Sequence, residues 1–153
     1  MDIVPAYPIP AVRTVLEAET SAHRFASVVS LVPDDPHPLA VHPNRLLRPF
    51  ADVFEDSHPR ACSPLDAAVI LEFTATAASP LLVHCRAGQS RSTAVALAVM
   101  VQHGWDPEAA RDALLAAHPP SRPFIPNLLV LARFDALLGM RSSLFAAGTR
   151  WRM

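Results

Sequence analysis

The sequence predicts an α/β fold: a central, mainly parallel sheet of about four or five strands flanked by helices. Three observations carry that expectation. Short apolar runs at residues 25–32 (FASVVSLV) and 81–84 (LLVH), bounded by proline-containing turns, read as buried strands. Segments with helical start and stop residues, 63–77 and 106–118, alternate with strand-like runs. Residues 92–103 (STAVALAVMVQH) are apolar on every side, as in a helix enclosed by other elements.

In chain order, residues 2–4 are expected to form a short first strand. Residues 11–20, with Val12, Val15 and Leu16 at helical spacing, are expected to form a short helix. The strand at 25–32 closes at Pro33-Asp34-Asp35-Pro36, and a weaker strand follows at 44–50. Ser63-Pro64-Leu65-Asp66 starts a helix: Ser63 caps it, Pro64 suits its first position, and Asp66 complements its dipole. That helix should end before Ser79-Pro80, ahead of the central strand at 81–84. After the all-apolar helix, Gly104 is a stop and Asp106-Pro107-Glu108 starts a helix that ends before Pro119-Pro120. A last helix spans about 126–138, with Gly139 ending it.

The chain has 153 residues, 51% hydrophobic and 18% charged, with a formal net charge of −1. This composition excludes wholesale disorder and fits one domain over 1–153, with 140–153 as a mildly basic, frayed tail. All thirteen basic residues are Arg, and no global field attracts nucleic acid or an acidic membrane. Any anion must therefore be held by a local site. The two cysteines, Cys62 and Cys85, are too few for a disulfide framework or a four-thiolate zinc site and suit a reducing compartment. The N-terminal MDIVPAYPIP lacks a basic region and a long apolar run, and Arg86 and Arg91 interrupt the longest apolar stretch. The expectation is a cytoplasmic protein with no nucleic-acid or membrane partner.

Chemistry concentrates in residues 83–93, Val-His-Cys-Arg-Ala-Gly-Gln-Ser-Arg-Ser-Thr, between the central strand and the all-apolar helix. At such a junction the loop N–H groups and the helix N-terminus point into one small volume, which favours an anion. Gly88 permits a bend that a side chain would block. Beside oriented N–H dipoles and a guanidinium, a thiol such as that of Cys85 is favoured as its thiolate and becomes a nucleophile. Arg91 can hold two oxygens of a phosphate with its planar fork. Ser92 can donate its hydroxyl to the sulfur.

This loop, His-Cys, five residues, Arg, Ser, resembles the P-loop (CX5R) of cysteine-dependent protein phosphatases. More narrowly, His84-Cys85-x-Ala87-Gly88-x-Ser90-Arg91-Ser92 resembles the dual-specificity group within the protein tyrosine phosphatase superfamily. Residues 122–127 (RPFIPN) resemble the Arg-x-x-Ile-x-Pro-Asn segment ahead of the last helix in that group, and the size suits its small bacterial members. The resemblance covers about 25–138. It implies a hydrolase working through a phosphocysteine, with a phosphorylated protein or small phosphomonoester as substrate and neither cofactor nor metal. Cys85 would attack phosphorus. Arg91 and the N–H groups of Arg86, Ala87, Gly88, Gln89 and Ser90 would hold the equatorial oxygens. Ser92 would assist the sulfur. An Asp would protonate the departing oxygen and then activate water.

If the strands at 44–50 and 81–84 run parallel, joined through the helix at 63–77, the loop 51–62 hangs beside the phosphate pocket. It carries Asp52, Glu55 and Asp56. The family's habit of placing the acid just past a strand favours Asp52, and Asp56 and Glu55 stay open.

Plainer roles compete at several positions. His84 is expected as a hydrogen-bonded core histidine supporting the loop. Asn127 is expected as a cap or loop brace. Cys62 is expected as a structural thiol, the alternative being a protective disulfide with Cys85. Arg122 is either a surface charge or a second phosphate contact. His37, His42, His58 and His118 each precede Pro and read as loop residues. Arg141, Arg150 and Arg152 read as charges of the frayed tail. Ala87 and Gln89 stand where some lipid-phosphate relatives carry a Lys pair, which favours phosphoprotein, although Arg86 adds charge at the rim. Two rivals remain. One is a non-catalytic phosphate-binding (pseudophosphatase) module, and the other is sulfur or arsenate chemistry on a related loop.

Overall fold

Four short runs of β-branched and apolar residues lie side by side: β1 (Ala11–Arg13), β2 (Ser27–Ser30), β3 (Arg45–Leu47) and β4 (Leu81–His84). The computed structural model describes residues 7–33 and 42–151. Within them the strands form one all-parallel sheet in the order β1-β4-β2-β3. The register puts Arg13 beside His84, His84 beside Ser30, and Ser30 beside Leu47. All four strands therefore end flush, and the segments that follow them emerge along one edge of the sheet, where open α/β folds place ligands.

Six α-helices flank the sheet within the described residues: α1 (Val15–Ser21), α2 (Pro64–Thr76), α3 (Arg91–Gln102), α4 (Pro107–Ala117), α5 (Leu128–Leu138) and α6 (Ser143–Gly148). Side chains alternate across a strand, so the sheet feeds two cores. Val12, Val29, Leu81 and Val83 join the large core with α3 and α5, whereas Val28 and Leu82 meet Ala18 and Ala22 on the α1 side. Every residue of α3 from Ser92 to Val101 is buried, as its apolar circumference requires. Its N-terminus is thereby fixed against the end of β4.

The helix starts follow local rules. Ser63 Oγ accepts the Asp66 N–H at 3.0 Å and Asp66 returns the bond to Ser63 N–H at 2.9 Å, with Pro64 at the first position. Asp106 and Asn127 cap α4 and α5 through Ala109 N and Val130 N. Gly139 ends α5 with φ +65°, in the left-handed region.

Several expectations are corrected. Residues 11–13 form an edge strand, and the helix begins only at Val15. Thr14 caps it in a reciprocal box with Glu17, so the turn cannot extend backwards, and β4 supplies the strand partner. The strand expected at 44–50 stops at Leu47; Arg48 N still reaches Ser30 O at 2.9 Å, but Pro49 has no N–H to continue. The strand expected at 25–32 spans only Ser27–Ser30. Residues 140–151 do not fray. They turn through Arg141 and Ser142, both at positive φ, into α6, whose Leu144 and Ala147 are fully buried. The buried Asp135 carboxylate accepts Ser142 N at 2.9 Å and Phe145 N at 3.0 Å, which anchors that turn. Arg150 pairs with Glu108 and lies 3.7 Å from Asp112. The strand expected at 2–4, the turn residues 34–36, His37 and Arg152 lie outside the described residues. Among the described residues no helix is long and apolar enough to cross a membrane.

Candidate active site

The loop 85–90 leaves β4 in the middle of the flush edge, and its neighbours dictate which way its peptides face. Three of its carbonyls are taken up by neighbouring elements. Arg86 O accepts Val15 N at 3.2 Å, Gln89 O accepts Ile125 N at 3.0 Å, and Ser90 O accepts Asn127 N at 3.1 Å. Thr93 Oγ1 donates to both Gln89 O (2.8 Å) and Ser90 O (2.9 Å). In a trans peptide the N–H lies opposite the carbonyl, so the N–H groups of Ala87, Ser90 and Arg91 face away from these partners. Among the described residues, none of the backbone N–H groups of 86–91 donates to a protein acceptor. Converging, unspent donors at a helix N-terminus form an anion cradle.

Gly88 makes the curl possible. Its φ is +66°, and a Cβ there would lie 3.1 Å from both Arg13 C and Thr14 N and 3.0 Å from Arg122 Nη1. The loop is thus pressed against the exit of β1. Arg122 is held on its other side by Glu17, with both carboxylate oxygens at 3.1 Å from Nη2. Burial works against the Glu17 charge, but the Thr14 backbone N–H and the Arg122 guanidinium outweigh it and hold the carboxyl below its usual range. The surface-charge reading of Arg122 is corrected: its side chain is mostly buried and braces the loop through Glu17.

Cys85 sits at the base of the curl, 2% exposed, with Sγ 3.0 Å from Ser92 Oγ. Arg91, the first residue of α3, sends Nη1 to Phe50 O at 2.8 Å, while its Nε is buried without a protein partner. His84 is buried, its Nε2 2.7 Å from Ser30 Oγ, which in turn accepts Arg45 Nε at 2.8 Å. It braces the strand that delivers the cysteine. Arg86 and Ala87 are exposed at the rim, and Gln89 is half-buried.

The segment after β3 closes one side. Ala51 N donates to Arg60 O at 2.7 Å, and Arg91 grips Phe50 O at its base. This brings Asp52 to the loop, where its Oδ1 accepts Ser90 Oγ at 2.8 Å and Asn127 Nδ2 at 2.7 Å. Asp56 is exposed and makes no hydrogen bond to the loop among the described residues, and the Glu55 carbonyl serves the turn to His58. The geometry therefore brings together Cys85, Arg91, Ser92, Ser90, Asp52 and Asn127, and leaves Asp56 outside.

Cys62 is a free, buried thiol in the core. Burial, aided by the Asp66 charge and opposed by Arg133, pushes it up to about 12. His42, His58 and His118 hold loop backbone through Phe25 O, Arg60 N and Pro123 O respectively. In residues 122–127, Ile125 is followed directly by Pro126, one residue short of the pattern quoted above, yet Ile125 N and Asn127 N still grip the loop. A groove of ≈ 830 Å³ lined by Ser27, Leu46 and Phe73 contains none of the site residues.

The supports missed by sequence reading are Glu17, Ser30, Arg45 and Thr93. Only Thr14-x-x-Glu17 had a readable signal, as a capping box. No family model, curated protein or solved structure matches the chain.

Proposed function

We propose that the chain is a phosphomonoester hydrolase of the cysteine-dependent protein tyrosine or dual-specificity type. The observation that carries this reading is the curl over Cys85, whose N–H groups at 86–91 have no protein acceptor among the described residues, beside a sulfur within reach of the Ser92 hydroxyl. Three phosphoryl oxygens match such a cradle in number and charge, and the buried Arg91 Nε offers a further donor.

In the first step a lone pair of the Cys85 thiolate forms the S–P bond as the P–O ester bond breaks. The leaving oxygen takes a proton from the Asp52 carboxyl, and the alcohol or phenol departs. In the second, water attacks phosphorus and gives its proton to the Asp52 carboxylate. The S–P bond breaks, its electron pair returns to sulfur, and inorganic phosphate leaves. The Ser92 hydroxyl supports the sulfur as leaving group in that second step. Fixed N–H donors stabilise the charge on the equatorial oxygens without reorganising, usually the largest part of such catalysis.

The test is hydrolysis of an aryl phosphate under reducing conditions without added metal. The expected outcome is turnover that is lost in Cys85→Ser. Vanadate binding without turnover would favour the binding module instead. Asp52→Ala, compared with Asp56→Ala, tests the acid. If Asp52→Ala keeps normal kcat on a poor leaving group while Asp56→Ala does not, the acid is Asp56.

A further inference from the structure

Two donors from different elements converge on one oxygen of Asp52. Ser90 belongs to the loop 85–90, and Asn127 is the fully buried cap of α5. The Asn127 amide has a single workable orientation. Its Oδ1 accepts Val130 N at 3.1 Å, so its Nδ2 must face the other way, where it meets Asp52 Oδ1 at 2.7 Å and Val53 O at 3.2 Å. A flipped amide would set donor against donor at Val130 and oxygen against carboxylate at Asp52. Asn127 is tied to the loop as well, through its own N–H to Ser90 O at 3.1 Å.

We propose that Asn127 and Ser90 are positioning residues for Asp52. They occupy Oδ1, so that the proton transferred in the reaction resides on Oδ2, and they hold that oxygen in register with the phosphate loop. This inference rests on the phosphatase reading and on Asp52 as its acid. An oxygen that already accepts two hydrogen bonds is the poorer place for a carboxyl hydrogen, because O–H and donor hydrogens would face each other. Oδ2 has no hydrogen-bond partner among the described residues. It is the oxygen left to give its proton to the ester oxygen as P–O breaks, and to take one from water as S–P breaks. Asp52 stands in an exposed loop, where an untied carboxylate samples many positions, and a misplaced acid loses much of its effect.

The experiment compares kcat/KM for a nitrophenyl phosphate, whose anion departs without a proton, with that for an alkyl phosphate, which needs one. Asn127→Ser keeps a capping oxygen for α5 and removes the donor to Asp52. Ser90→Ala removes the other donor without touching the cap. Each variant is expected to lose about tenfold or more on the alkyl ester, within the range of general-acid effects, and far less on the nitrophenyl ester. Combined with Asp52→Ala, neither should cost anything further on the alkyl ester. Equal losses on both esters, losses that multiply with that of Asp52→Ala, or unchanged rates in both variants would overturn the inference. Failure of the underlying reading looks different. Either the wild-type chain has no turnover dependent on Cys85, or Asp52→Ala itself fails to discriminate between the two esters.

Discussion

A methyl group at Gly88 should be far more damaging than the same methyl at Gly139, although the two glycines share nearly the same φ. Their φ angles are +66° and +65°. Alanine in the left-handed region costs roughly 1–2 kcal/mol at either position. At Gly139 nothing lies within 4 Å of the added carbon, so that strain is the whole cost. At Gly88 the carbon would sit 3.1 Å from Arg13 C and from Thr14 N. Both are backbone atoms, one in the strand register with His84 and the other in the cap of α1, and they cannot yield separately. Arg122 Nη1, at 3.0 Å, is the end of a side chain and can move, but only by loosening its pair with Glu17. Forced overpacking of this kind adds about 1–3 kcal/mol. Gly88→Ala should therefore lose about 2–5 kcal/mol, the sum of strain and overpacking, against about 1–2 for Gly139→Ala. Urea denaturation of both variants measures the difference, and vanadate titration measures the loop. Gly88→Ala should bind vanadate at least tenfold more weakly, whereas Gly139→Ala should bind it as wild type does. Equal destabilisation of the two, or unchanged vanadate affinity in Gly88→Ala, would refute the packing of the loop against β1.

The two thiols should differ in chemistry. With Cys62 pushed up to about 12 by burial, it carries almost no thiolate at pH 8, so iodoacetate should modify Cys85 alone, as read by peptide mass mapping; first reaction at Cys62 would contradict this. Glu17 is held below its usual carboxyl range, so its contribution to stability is fully present above about pH 4.5 and fades as the pH falls through its folded value. Glu17→Gln should accordingly destabilise the protein at pH 7 and progressively less as the pH falls below 4.5, measured by urea midpoints; a difference that does not shrink in acid would oppose the Arg122 pairing. Asp135→Ala removes the acceptor for Ser142 N and Phe145 N and should cost about 2 kcal/mol, the usual worth of hydrogen bonds to a charged acceptor. Proteolysis should then cut first between residues 140 and 151; unchanged stability and cleavage would show that α6 does not depend on that carboxylate.

What the sequence made readable was what local rules determine. Ser63-Pro64-Leu65-Asp66 and Asp106-Pro107 start their helices within three residues of the signal, and Leu81–His84 is a strand to the residue. The loop 85–90 was readable because its chemistry is contiguous. Placing the loop 51–62 beside it needed only the parallel arrangement of β3 and β4 and the crossover through α2, whereas the choice of Asp52 within that loop came from the resemblance. Apart from Thr93, which acts on carbonyls three and four residues back, the supporting contacts were hidden because their partners are distant in sequence. Ser30 meets His84 across 54 residues, and Asn127 meets Asp52 across 75. β1 has three residues and exists through its pairing with β4, so the helical spacing of Val12, Val15 and Leu16 misled. α6 depends on a carboxylate seven residues upstream of its cap and on Gly148, where a Cβ would lie 2.6 Å from Leu131 Cδ1; neither is a composition signal.

Rapid acid quenching during turnover of an aryl phosphate, followed by mass analysis of the peptide that carries Cys85, addresses the chemistry itself. A phosphoryl group on the Cys85 sulfur, formed within one turnover and absent in Arg91→Ala, is the expected result. Steady turnover with the phosphoryl group never on Cys85, or found on another side chain, would contradict the account.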